Sequence, residues 1–312
     1  MNILITGGCG YVGSILIGKL LKLNHKITSV DTQWFGNYLK KNNNLKNLKL
    51  DLQNIETINL SNIDAVVHLA SIANDPMSEL DKNLSWETSA LGTLKLLEQC
   101  KKYRIKRFIY ASSGSVYGIS KQNKVTENSK LEPISLYNKV KMVTEKIILS
   151  YSNFFEIFII RPATICGFSQ RMRLDLTVNA LTFSALQNKK IIVHGGRQIR
   201  PNVHIDDICD VYIKFLKINK KYQGIYNVGF ENKSIMDIAK LVQSIIKSEI
   251  VIKKNNHDPR SYRLNSDKIL KIGFYPKKNI KDAIIELKLL YEKKKIKNKS
   301  SYHSLTWLKK II

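Results

Sequence analysis

The chain opens Met1-Asn-Ile-Leu-Ile-Thr-Gly7-Gly-Cys-Gly10-Tyr-Val-Gly13, a short apolar and β-branched run that feeds straight into glycines three apart. Ile3 to Ile5 read as a buried parallel strand, and Tyr11 to Leu23 as a helix with Val12, Ile15, Leu16 and Leu20 turned inward. The turn between them asks Gly7 for unusual backbone angles and Gly10 for room in which a diphosphate can reach the backbone. It asks Gly13 for close packing of helix on strand. The helix N-terminus then offers unpaired N–H groups and partial positive charge to phosphates. Such a turn is built for a dinucleotide, with Gly7, Gly10, Tyr11, Val12 and Gly13 as the expected contacts.

Downstream residues fit the same ligand. Asp31 ends the apolar stretch Lys26-Ile-Thr-Ser-Val30, where a carboxylate accepts hydrogen bonds from the adenosine ribose 2′-OH and repels a 2′-phosphate. NAD is therefore expected rather than NADP, and the neighbouring Thr32-Gln33-Trp34 brings no arginine. A third strand, Leu48 to Leu50, leads to Asp51 and Leu52 on the adenine side, and a fourth, Asp64 to Ala70, delivers Leu69, Ala70 and Ser71.

Tyr137-Asn-Lys-Val-Lys141 sets a phenol and an ammonium four residues apart, on one face of the helix expected over Tyr137 to Ser152. A free tyrosine titrates near ~10, too high for a base at neutral pH. A neighbouring ammonium and the positive nicotinamide of NAD⁺ both favour the phenolate and lower that value.

On Thr6 to Gly13, His68-Leu-Ala70, Ser112-Ser-Gly-Ser-Val-Tyr-Gly118, Tyr137 to Lys141, Arg161-Pro-Ala-Thr164 and Arg200 to Asp207, the chain resembles an extended short-chain dehydrogenase/reductase. The resemblance is to the branch of NAD-dependent nucleotide-sugar epimerases and dehydratases, and it runs from Met1 to about Leu290. It implies an α/β fold, a Rossmann-type doubly wound parallel sheet with a smaller C-terminal substrate-binding lobe. The sheet would take residues 1–165 with returns near 198–228, the lobe 166–197 and 229–292, leaving a basic tail at 293–312. Strand–helix alternation to about Ile160 agrees, with helices expected over Ser85 to Tyr103 and Ser234 to Ile246 and a returning strand at Ile225 to Val228.

The same resemblance implies a triad of Tyr137 as acid/base, Lys141 as its tuner and Ser113 as the group that orients the sugar hydroxyl, with Pro162 on the cofactor. Relatives that remove water across C5–C6 carry Asp-Glu directly after the residue matching Ser113. Here stand Gly114 and Ser115, so a 4,6-dehydratase is not expected and hydride chemistry at C4 remains. A nucleotide diphosphate needs cationic forks. Arg200 and Arg260 match the family's diphosphate arginines, Arg171 and Arg173 open the substrate lobe, and Asn179, Asn74 and Ser115 complete the expected substrate contacts. Ser89 stands where the family usually has an asparagine against the cofactor, and Cys166 where it often has a tyrosine. A homodimer through the helices near 85–103 and 137–152 is implied.

Composition bounds the rest. The 312 residues carry 51 basic against 25 acidic side chains, a formal charge of +26 that draws anions. The lysines are scattered rather than clustered with aromatics, so no nucleic acid partner is expected. Cys9, Cys100, Cys166 and Cys209 sit singly with no metal spacing, and His68, His194 and His204 read as structural. A strand beginning at residue 2 and the lack of any ~20-residue apolar run point to a cytoplasmic protein without a membrane span. The tail, with Lys293 to Ser301 basic and Leu305 to Ile312 apolar, is left as disordered, folded back, or an anionic-surface contact. The base, the sugar and the fate of the hydride are not readable.

Overall fold

The computed structural model describes residues 1–119, 122, 124–253 and 261–312. Its centre is a parallel sheet of β1 (Asn2–Thr6), β2 (Lys26–Asp31), β3 (Leu45–Lys49), β4 (Ala65–His68), β5 (Arg107–Ala111), β6 (Glu156–Pro162) and β10 (Gly224–Val228), the last as the returning strand expected. The spatial order is β10-β6-β5-β4-β1-β2-β3. The chain therefore winds outward from β1 to β3, then crosses to β4 on the other side of β1. A crevice opens at that reversal, outside the carboxyl ends of β1 and β4, and ligands of such sheets bind there.

Alternation within the apolar runs builds two cores from one sheet. Ile3 and Ile5, Ala65 and Val67, Ile109, and Phe158 and Ile160 face one side with Leu16, Ile17 and Leu20 of α1 (Tyr11–Lys22). Leu4, Val66, Phe108, Tyr110, Ile157 and Ile159 face the other, against Leu96, Leu97 and Ile148. A strand buried on both faces reads as continuous apolar sequence, which is why the runs show no alternating polarity. Val12 and Ile15 of α1 are half-buried at the edge of the first core, while Ile17 reaches its centre.

The expected helix over Ser85 to Tyr103 is not uniform. Short α2 (Asp75–Ser78) and α3 (Lys82–Trp86) precede a π turn at Glu87–Leu91, and only then does α4 (Gly92–Lys102) begin. The wider turn frees Ser89's carbonyl to accept from Thr93 Oγ1 at 2.6 Å and Thr144 Oγ1 at 3.4 Å. The second of these belongs to α5 (Leu136–Leu149), so the turn is pinned from across the helix pair.

A smaller lobe follows β7 (Thr164–Cys166). Helix α6 (Thr177–Asn188) leads to β8 (Lys190–His194), then β9 (Ile199–His204) and α7 (Ile205–Lys217) carry the chain back beside the main sheet. After β10 come β11 (Glu231–Ser234), α8 (Ile235–Ile245), β12 (Glu249–Lys253), α9 (Asp267–Lys271) and α10 (Ile280–Glu292). The lobe has its own core, with Val178, Leu181, Ile191, Val193, Ile238, Val242 and Ile284 at its heart. Ser234 caps α8 in a reciprocal box with Asp237, fixing the start the sequence anticipated. Among the described residues no helix is long and apolar enough to cross a membrane.

Of the alternatives left open for the tail, the structure has it folded back: α11 (Ser304–Leu308) buries Leu308 beside Ile72 and Met77, with Trp34, Phe35 and Leu305 around it. Two glycines carry the opening turn. Gly7 has φ +71°, and a Cβ on Gly13 would lie 2.4 Å from Gly7 O and 2.7 Å from Gly8 Cα, both backbone atoms that cannot step aside. Gly13→Ala is therefore expected to cost about 1–3 kcal/mol through overpacking, read as a lower urea midpoint at unchanged slope. An unaltered midpoint would show that α1 does not press on the turn.

Candidate active site

A cavity of about 620 Å³ fills the crevice. Lining it are Gly7, Gly10, Tyr11, Val12 and Gly13, then Asp31, Asp51, Leu52, Leu69, Ala70 and Ser71, each a residue expected on the dinucleotide. Gly10 caps α1, and the N–H groups of the first turn have no acceptor within the helix. A Cβ on Gly10 would meet only Gly7 O, at 3.0 Å, so the turn leaves its cavity side open for a phosphate. Asp31 accepts from Cys9 N at 2.9 Å and Gln33 N at 2.6 Å, each through a different oxygen. Burial raises its pKa against those two hydrogen bonds and the charge of Arg171. Asp51 caps the short turn that follows it by accepting from Gln53 N at 2.9 Å. Ser89 takes up Ile72 N through Oγ at 3.2 Å, so its side chain braces the loop after β4.

Ser113, Ser115, Tyr137, Lys141 and Pro162 converge on the same cavity from β5, α5 and β6. Lys141 Nζ lies 5.9 Å from the centre of the Tyr137 ring and 4.9 Å from that of Tyr110, and donates to Ala111 O at 2.7 Å. Burial pushes Lys141 down to about 7, with Glu145 pulling the other way. Ser113 Oγ is 2.8 Å from Ser115 Oγ, which donates to Asn138 Oδ1 at 2.6 Å. Behind the pair, Glu145 accepts from Ser112 Oγ and forks with Arg161 at 2.9 and 2.6 Å. Arg161 Nη1 donates to Tyr117 OH at 2.8 Å, which donates to Asn227 Oδ1 at 2.7 Å, so the network reaches β10. His68, buried between Thr6 Oγ1 at 2.6 Å and Thr93 Oγ1 at 2.8 Å, is pushed by burial to about 3 and is structural, as read.

The expected substrate residues divide. Asn74, Arg173 and Arg200 line the cavity. Asn74 Nδ2 donates to Asp175 at 2.9 Å, and Arg173 forks onto the same carboxylate at 2.6 and 3.2 Å while reaching Ala73 O at 3.3 Å. Against the cost of burial, the pairing raises Arg173 and lowers Asp175. Arg200, on β9, donates to Ile199 O at 3.1 Å. Arg260 lies outside the described residues. Asn179 is corrected: it is fully buried and its amide is consumed internally, accepting from Gly167 N at 3.0 Å and donating to Tyr11 OH and Arg173 O, both at 3.0 Å. It braces Tyr11 and Arg173 rather than facing the cavity. Arg171 turns toward the β2 side, its guanidinium carbon 4.2 Å from the centre of the Phe35 ring.

Several cavity residues escaped the sequence reading. Asp175 gathers Asn74, Arg173 and Ser304, and only its place in Arg171-Met-Arg-Leu-Asp175 hinted at it. Trp34, Phe35, Met77, Tyr212 and Tyr262 supply the apolar lining, and Ser304 and Leu305 come from the tail. No sequence signal marks these, since each arrives by tertiary contact.

A doubly wound sheet with a phosphate-binding glycine turn at its switch point, and a phenol and ammonium beside it, defines a dinucleotide-dependent α/β enzyme. The chain belongs to the NAD-dependent epimerase/dehydratase family, which its residues 3–229 match. A putative UDP-glucose 4-epimerase of Methanocaldococcus jannaschii is 28% identical over 90% of this chain and 95% of its own. An uncharacterized UDP-glucose epimerase of Bacillus subtilis is 31% identical over 78% and 82%. The UDP-glucuronic acid 4-epimerase of Bacillus cereus, solved with UDP-glucuronic acid and NAD, superposes with a TM-score of 0.80 at 27% identity, covering 93% of this chain and 100% of the other.

The buried lysine sets a pH dependence of stability in the protein without ligand. Lys141 titrates near 7 folded and near ~10.4 unfolded. Between those values the unfolded chain holds a proton that the folded one has released. Its contribution to stability thus rises with pH above about 7 and is flat below it. Lys141→Met is expected to remove that rise, so that above about pH 7 the stability difference shifts in favour of the wild type by up to ~1.4 kcal/mol per pH unit. Parallel unfolding curves across the range would mean the ammonium is not strained by burial.

Proposed function

We propose that the protein is an NAD-dependent nucleotide-sugar 4-epimerase, with the hydroxyl at C4 of the sugar as its point of attack. The observation that carries this reading is the meeting of Ser113, Tyr137 and Lys141 with the glycine turn around one cavity. When bound, NAD supplies a hydride acceptor that can hand the hydride back. The chain's own part is to move a proton and hold the sugar. Tyr137 takes the C4 hydroxyl proton as that carbon becomes a ketone, and returns it after the ring presents its other face. Lys141 favours the phenolate by charge, and a phenolate in turn favours the ammonium that burial weakens. Ser113 orients the hydroxyl, with its own Oγ steadied by Ser115.

Arg173 and Arg200 meet the substrate's diphosphate in this reading, and Arg260 with them, while Asn74 bears on the sugar. Support comes from Arg173's position beside the Asn74 loop and its fixed fork on Asp175. A bare hydrogen at Gly114 and a hydroxyl at Ser115, in place of two carboxyls, argue against elimination of water. The sheet serves as the coenzyme half and the lobe of α6, α8 and α10 as the substrate half. Exposed Leu91, Leu94 and Leu149 on the helices of the expected contact favour a homodimer. Four cysteines without disulfides suit the reducing cytoplasm.

The reading is tested by incubating the protein and NAD with a panel of nucleotide sugars, following the sugar by proton NMR and the coenzyme by absorbance. The expected product is the C4 epimer with no accumulation of reduced coenzyme. A 4-keto product formed in step with NADH would overturn epimerisation in favour of net oxidation. Tyr137→Phe should lower turnover by about 10²–10⁴-fold while NAD uptake and thermal stability persist, and undiminished turnover would exclude Tyr137 as the acid/base.

A further inference from the structure

The tail contributes more than packing to the cavity. Ser304 Oγ accepts from Arg171 Nη2 at 3.0 Å and donates to Asp175 Oδ1 at 3.3 Å, so one hydroxyl bridges a cation and an anion on the cavity wall. Arg171 is buried, stacked on Phe35, and also donates from Nη1 to Met172 O at 2.9 Å. Both acceptors are neutral, and among the described residues no carboxylate lies within ion-pair distance of the guanidinium. Burial and the neighbouring Arg173 charge make that cation costly, Asp175 and Asp31 offset the cost only in part, and an anion in the cavity would relieve it. The helix that carries Ser304 is itself pinned from the coenzyme side: Trp307 Nε1 donates to Trp34 O at 2.7 Å, and Leu308 is buried against Ile72 and Met77.

We propose that Ser304 is a positioning residue for the coenzyme: its hydroxyl holds Arg171 over Phe35 so that the guanidinium meets the diphosphate of the bound dinucleotide. The shared chemistry is a diphosphate, which a nucleotide sugar also carries. The coenzyme is favoured because Phe35 follows Asp31 on the loop that leaves β2, and Arg171's charge reaches the Asp31 carboxylate. Arg173, by contrast, is fixed on the Asn74 side by Ala73 and Asp175. The inference rests on the dinucleotide reading of the cavity.

Calorimetric titration of NAD⁺, and separately of UDP, into wild type, Ser304→Ala, Ser304→Thr and Arg171→Gln tests it. Ser304→Ala is expected to weaken NAD⁺ binding about 3–10-fold, the range for one hydrogen bond. Ser304→Thr should restore most of the loss, and Arg171→Gln should exceed it, with UDP affinity unmoved throughout. A lower melting temperature with NAD⁺ affinity unchanged would make Ser304 merely structural and overturn the proposal. Loss of UDP binding with NAD⁺ binding intact would overturn it by giving Arg171 to the sugar nucleotide. Wild-type protein that takes up no NAD⁺ would remove the dinucleotide reading and the inference together, whereas uptake equal in wild type and Ser304→Ala removes the inference alone.

Discussion

Lys141's ammonium, buried and bonded to the carbonyl of Ala111, is the contact on which the site depends. It ties the first turns of α5 to the carboxyl end of β5, and so fixes Tyr137 and Ser113 on the same wall. Placing a cation there is unfavourable by itself, and the surrounding structure over-determines it. Glu145, one helical turn further along α5, is locked by Ser112 and by a bidentate Arg161. Arg161 is held in turn through Tyr117 and Asn227. Removing any one member of such a buried network strands the others without partners, so rigidity at Lys141 is shared by four elements of the sheet half.

The glycine turn obeys a different constraint, close approach of backbone. Gly7 in the left-handed region and Gly13 against the Gly7 carbonyl let α1 start within reach of the β1–β4 crevice. Its unpaired N–H groups then face the cavity that Asp31 bounds at the far end. Charge is divided along this axis. Arg171 sits on Phe35 and Arg173 on the Ala73 and Asn74 loop, with Asp175 and Ser304 joining them. The +26 net charge plays no visible part in that local order, which is set by the contacts among Arg171, Arg173, Asp175 and Ser304.

What the sequence made legible was whatever depends on local periodicity or on a residue's intrinsic freedom. The glycine turn, Asp31 at a strand end and the four-residue spacing of Tyr137 and Lys141 all belong there, because their geometry follows from a few bonds. The continuous apolar runs likewise announced strands covered on both faces. What was not legible depends on which tertiary partner a polar group finds. Asn179 looked like a ligand contact, yet Gly167, Tyr11 and Arg173 use up its amide. The π turn at Ser89 reflects hydroxyls from Thr93 and Thr144 that no linear pattern predicts. The tail, too short and aperiodic to declare a helix, is ordered by Trp34 and by a small apolar cluster far away in sequence.

The account stands on a phenol tuned by an ammonium beside a bound coenzyme. The most direct test is a crystal structure with NAD and a nucleotide sugar in the cavity. The account predicts Tyr137 Oη within ~3 Å of the sugar's C4 hydroxyl, with the coenzyme's diphosphate at the start of α1. A sugar bound with its C4 far from Tyr137, or a dinucleotide lodged away from Gly10, would contradict it.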